Sequence, residues 1–206
     1  VIPLARQHVS QQLEQQQLVK KTLVVLHYGT TWKTKLWNLE HWQHLAAKLV
    51  EQTDVVPLLT WGNDQEHHAA QVIAEHVAGK AIVWPRGSLP ELVALLDRAD
   101  VVVGCDTGPI HIAAALGTPT VSVFRVTDAT RNGPMDENHR CLQSSLPCSP
   151  CLLKQCERDD VCSKSISVDE VYSAIIELID GVAKSPPTCV AAFVQEFDIQ
   201  SVCLHP

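Results

Sequence analysis

The run from Val101 to Phe124 constrains the fold more than any other part of the chain. It reads Val-Val-Val-Gly-Cys-Asp-Thr-Gly-Pro-Ile-His-Ile-Ala-Ala-Ala-Leu-Gly-Thr-Pro-Thr-Val-Ser-Val-Phe. A short β-branched run without polar alternation suits a parallel strand covered on both faces. Pro109 suits the first turn of a helix, where its missing N–H costs nothing. The segment therefore predicts strand, tight turn, helix and second buried strand. Gly108 lets the chain turn sharply and lets a ligand approach the backbone. The N–H groups opening the helix, with the positive end of its dipole, suit a phosphate. The plainer alternative is an ordinary strand–helix turn with no ligand.

The same alternation continues along the chain. Thr22–His27, Val55–Thr60, Ala81–Trp84, residues 101–104 and residues 120–123 read as strands. Helices start at Asn38, at Asn63 with Glu66 in capping-box spacing, at Ser88 with Glu91, and at Ser167 with Glu170. Strands alternating with helices predict an α/β fold, a doubly wound parallel sheet of Rossmann-like type. Residues 1–21 are Gln-rich and read as a linker, N-terminal extension or surface helix. Residues 22–184 read as one Rossmann-like domain, with a Cys-rich loop at 141–162, and 185–206 as a C-terminal tail.

Composition limits the partners. With 206 residues, 46% hydrophobic, the chain has ample material for one packed domain. A net charge of −7 argues against nucleic acid. No apolar run approaches the ~20 residues that span a bilayer. The first residues lack the pattern of a secretory signal and an initiator Met, so the chain reads as a piece of a longer protein.

Two loops follow predicted strands and carry polar groups. His27–Trp37 offers Thr30, Thr31, Lys33 and Lys35 beside the first strand. A lysine there would meet a diphosphate as a point charge, or would face water. In Trp61-Gly62-Asn63-Asp64-Gln65-Glu66 the acid either completes the helix cap or accepts hydrogen bonds from ribose hydroxyls. Cys148, Cys151, Cys156 and Cys162 are separated by two, four and five residues, with Cys141 upstream. Four thiolates so spaced suit a structural zinc ion or an iron–sulfur cluster; buried free thiols or a disulfide are the other readings.

Asp106-Thr-Gly-Pro-x-His-x-Ala-Ala-Ala-x-Gly-Thr-Pro-x-Val resembles the signature of the bacterial heptosyltransferases of glycosyltransferase family 9. Thr-Thr-x-x-x-Lys-x-Trp at 30–37 and Trp-Gly-x-x-x-Glu at 61–66 are similar to further family segments, so the likeness spans roughly residues 20–180. It implies one half of a GT-B glycosyltransferase, transferring heptose from ADP-heptose to the lipopolysaccharide inner core. It implies that Thr31 and Lys35 hold the donor phosphates, that Thr30 is part of the donor site and that Glu66 contacts the adenosine. The turn Pro85–Ser88 would line the adenine. Thr107 and Gly108 would meet the diphosphate through their backbone, Asp106 would accept from sugar hydroxyls, and His111 would stabilise the leaving group beside Lys35. Transfer would proceed by inversion with no required cofactor. The amino-terminal half of such enzymes holds the lipid A-core acceptor and the catalytic base, and no base is found here. The family works in the cytoplasm at the inner face of the inner membrane, with peripheral membrane contact. A transferase for another nucleotide sugar, and a non-catalytic nucleotide-binding or metal-stabilised module, are the alternatives.

Overall fold

The computed structural model describes residues 2–184. The tail predicted at 185–206, with Cys189 and Cys203, lies outside the described residues.

Among the described residues, fifteen elements follow one another. They are α1 (Ile2–Gln15), β1 (Leu23–His27), a 3-10 turn (Lys33–Lys35), α2 (Leu39–Gln52), β2 (Val56–Thr60), α3 (Asp64–His76), β3 (Ile82–Val83), α4 (Leu89–Arg98), β4 (Val101–Cys105), α5 (Gly108–Ala115), β5 (Thr120–Phe124), α6 (Ala129–Asn132), β6 (His139–Gln143), α7 (Asp159–Ser163) and α8 (Val168–Lys184). The strands form one parallel sheet in the order β3-β2-β1-β4-β5-β6. This is the doubly wound α/β arrangement expected from the sequence. The chain winds one way from β1 to β3 and the other way from β4 to β6. The reversal falls between β1 and β4, the place where open α/β sheets bind ligands beyond the carboxyl ends of their strands.

Strand residues alternate between two cores because successive side chains point to opposite faces. Val24, Leu26, Val101 and Val103 face a core closed by α2, α3 and α8. Leu23, Val25, Leu58 and Val102 face a second core closed by α1, α4 and α5. Each fully buried Leu or Val contributes about 1.5–3 kcal/mol, which suits an interior sheet with no polar face. Residues 1–21 supply helix α1, whose Ala5, Val9 and Leu13 are buried in the second core with Ala94 and Leu95 of α4.

One strand lay beyond the sequence reading. β6, which overlaps the start of the predicted Cys-rich loop, pairs in parallel with β5 through Thr120–His139 to Phe124–Gln143. Its residues His139-Arg140-Cys141-Leu142-Gln143 are mixed in polarity and mostly half-buried. An edge strand covered on one side needs no continuous apolar run, so the pattern that revealed the inner strands is missing.

Candidate active site

The two loops at the switch point meet on one carboxylate. Asp106 follows β4 directly, and its side chain is only 8% exposed. Lys35, closing the 3-10 turn after β1, donates from Nζ to Asp106 Oδ2 at 2.8 Å and to the Asp106 carbonyl at 3.4 Å. His111, in the first turn of α5, places Nε2 3.2 Å from Asp106 Oδ1. Burial pushes the Asp106 carboxyl pKa up, but hydrogen bonds from Lys35 and His111 outweigh it and hold the value below the usual one. Lys35 also lies 4.8 Å from the centre of the Trp32 ring, so its cation sits between an aromatic face and a buried anion.

The start of α5 lies beside the same carboxylate. Thr107 is its extended N-cap residue, and no side chain caps the helix. The first-turn N–H groups and the helix dipole therefore present a positive end beside Lys35 and His111. At Gly108 an added Cβ would meet no protein atom within 4 Å, and the residue has no positive φ. The turn itself does not demand glycine there. Open space over bare backbone is what a closely approaching ligand requires.

Thr30 and Thr31 lie on the β1 loop, and the buried Thr30 Oγ1 has no hydrogen-bond partner. Thr30 and Glu66 line one cavity of about 290 Å³. Glu66 accepts from the Gly62 N–H at 2.7 Å and from Asn63 Nδ2 at 2.8 Å, while its own N–H donates to Asn63 Oδ1 at 3.0 Å. It thus performs the capping role that its spacing suggested. The carboxylate is also pressed against Gly29, where a Cβ would lie 2.3 Å from Glu66 Cδ.

A second cavity, about 210 Å³, opens beyond β2 and β3, walled by Trp61, Trp84 and the Pro85–Ser88 turn. Trp61 donates from Nε1 to the Trp84 carbonyl at 2.9 Å, and the Arg86 guanidinium stacks over its ring at 5.7 Å. Gly87 keeps this wall thin, since a Cβ there would come within 2.9 Å of Glu91 Oε2. The Pro85–Ser88 turn and the Trp61 motif were both singled out in the sequence; the stacking of Arg86 on Trp61 that joins them was not.

Cys148, Cys151, Cys156 and Cys162 line a common apolar cavity of about 160 Å³. All four are free thiols. Among the described residues, no group of three or more His, Cys, Asp or Glu is gathered to hold a metal ion. The arrangement therefore does not fit the zinc or iron–sulfur site that the spacing suggested. Among the same residues, no helix is long and apolar enough to cross a membrane.

Comparison with known proteins converges on one group. The family model described as glycosyltransferase family 9 (heptosyltransferase) matches residues 1–161. Lipopolysaccharide heptosyltransferase 1 of Pseudomonas aeruginosa is 40% identical over 134 residues, covering 65% of this chain and 37% of that protein. The structure of E. coli heptosyltransferase WaaC with ADP superposes with a TM-score of 0.64 at 26% identity, covering 77% of this chain and 44% of WaaC. WaaC with ADP-2-deoxy-2-fluoro heptose gives 0.61 at 27% identity, covering 76% and 43%. The chain thus spans less than half the length of these relatives.

Proposed function

Since the chain belongs to glycosyltransferase family 9, we propose that it supplies the donor-binding half of a heptosyltransferase that moves heptose from ADP-heptose to the lipopolysaccharide inner core. The observation that carries this reading is the convergence of Lys35, Asp106 and His111 at the open start of α5. An arriving diphosphate takes the ammonium of Lys35 from Asp106 and accepts from the backbone N–H groups at Thr107 and Gly108. Thr31, and Thr30 through its unpartnered hydroxyl, complete the phosphate site. Asp106, relieved of Lys35, accepts hydrogen bonds from sugar hydroxyls. The cavity beside Trp61 and Pro85–Ser88 is large enough for the base, and Glu66 reaches the ribose from the cap of α3.

Transfer is a direct displacement at the anomeric carbon with inversion. The bond to the diphosphate breaks as the acceptor oxygen attacks from the opposite face. Negative charge grows on the departing ADP and is met by Lys35, His111 and the α5 terminus. No cofactor enters this step. The acceptor hydroxyl is deprotonated by a base from the acceptor-binding half, which also holds the lipid A-core. The work is done in the cytoplasm at the inner face of the inner membrane, with peripheral contact to the lipid.

Calorimetric titration with ADP, UDP and GDP tests the reading. ADP-selective binding is expected, weakened about tenfold or more by Lys35→Ala through loss of a charge-assisted hydrogen bond. Preference for UDP or GDP would move the chain to another sugar donor. Binding of none would contradict the reading in favour of a non-catalytic copy.

A further inference from the structure

Arg125 is the residue after β5 and is only 2% exposed. A buried guanidinium is costly unless its donors are met, and what meets these donors is informative. Nη2 donates to the Asp159 carbonyl at 2.8 Å and to Asp159 Oδ1 at 2.6 Å. Nη1 donates to the carbonyl of Leu36, the residue that follows Lys35. One rigid fork thus joins the Lys35 loop to the segment that carries the four cysteines.

Other bonds join the same two pieces of chain. Thr34 Oγ1 donates to the Leu153 carbonyl at 2.7 Å, on the other side of Lys35 in sequence. Trp37 Nε1 donates to the Ile166 carbonyl at 2.9 Å, and the Asn38 N–H donates to the Ser163 carbonyl at 3.2 Å. The Cys-rich segment is itself tied to the β5 end, where Ser149 Oγ donates to the Arg125 carbonyl at 2.7 Å. The backbone on both sides of Lys35 is therefore bolted to one buttress. Among the described residues, Arg125 is the most deeply buried Lys, Arg, Asp or Glu.

We propose that Arg125 is a positioning residue: by clamping the Leu36 carbonyl to Asp159 it fixes where the ammonium of Lys35 meets a diphosphate. The inference rests on the reading of Lys35 as a phosphate ligand. Misplacement of such a group by about 1 Å is enough to weaken its interaction severely. The clamp acts only through Lys35, whereas a merely structural role would affect binding equally with or without that lysine.

The test is a double-mutant cycle on the full chain, read by calorimetric titration with ADP. The proteins are wild type, Lys35→Ala, Arg125→Met, the double variant and Asp159→Asn, alone and with Lys35→Ala. Lys35→Ala is expected to weaken ADP about tenfold or more. Arg125→Met is expected to weaken it roughly fivefold, and to add less than about twofold once Lys35 is gone. Wild type that fails to bind ADP, or Lys35→Ala that binds like wild type, refutes the donor-site reading and this inference with it. A Lys35→Ala effect combined with an Arg125→Met protein that binds like wild type overturns the positioning role alone. So does an Arg125→Met loss of equal factor in both backgrounds. If circular dichroism shows Arg125→Met unfolded, Asp159→Asn decides on the same criteria.

Discussion

His27 gives the sharpest quantitative prediction. It ends β1, next to the loop that carries Lys35, and its Nδ1 lies 3.0 Å from Thr60 Oγ1. Burial pushes its pKa down from 6.5 to about 4, against a weaker upward pull from Glu66. The folded state therefore resists protonation that the unfolded chain accepts. Stability from the neutral imidazole is complete above pH 6.5 and is lost as pH falls toward the folded value near 4. With those two values the loss at pH 5 is about 2 kcal/mol, and the local slope reaches about 1.2 kcal/mol per pH unit. The carboxylates with lowered pKa values, Asp106 and Glu91 among them, start from ordinary values of 3.8 and 4.5, so most of their loss falls below pH 5, the lowest pH compared. His41, also lowered by burial, contributes in the same direction in every variant. Urea unfolding at pH 7, 6 and 5 of wild type and His27→Gln measures the effect. The variant should be less stable at pH 7 yet lose about 2 kcal/mol less on going to pH 5. An unchanged pH slope would refute the reasoning.

Two substitutions test how the site is framed. Gly29→Ala puts a Cβ onto the Glu66 carboxylate and should displace it from Gly62 and Asn63, costing about 1 kcal/mol of cap stability in a thermal melt. In a Glu66→Ala background the same change should cost little, and a persistent loss there would place the strain elsewhere. Trp37→Phe keeps the ring among His41 and Trp42 but removes the bond to Ile166; it should lower stability by about 1–2 kcal/mol in urea, and an unchanged midpoint would show that bond to be dispensable.

The inner strands were legible because a parallel strand buried on both faces must be apolar throughout. Val101–Val103 and Leu23–Leu26 carry that signature without a gap. The open start of α5 was legible because strand end, glycine and helix start fall within a few residues of each other, whereas Asp106 and His111 were nameable only through a resemblance. Lys35 was nameable only through a resemblance, since a loop lysine reads the same whether it faces water or an anion. Its pairing with Asp106 needed the parallel register of β1 and β4, which no local pattern encodes. β6 stayed hidden because an edge strand tolerates His139 and Arg140. The four cysteines misled for a related reason. Spacing along the chain gave their candidacy, but the fold spreads them around an apolar cavity. Arg125 left only a faint trace, a single charge between Phe124 and Val126 after a buried strand. Its partners Leu36 and Asp159 lie 89 and 34 residues away in sequence.

The most direct test of the central claim is a crystal structure of the chain with ADP bound. The account predicts the diphosphate at the start of α5, against Thr31 and the Thr107–Gly108 backbone. Lys35 Nζ, 2.8 Å from Asp106 Oδ2 without ligand, should have moved onto a phosphate oxygen. A diphosphate bound away from Gly108, with Lys35 still paired to Asp106, would contradict it.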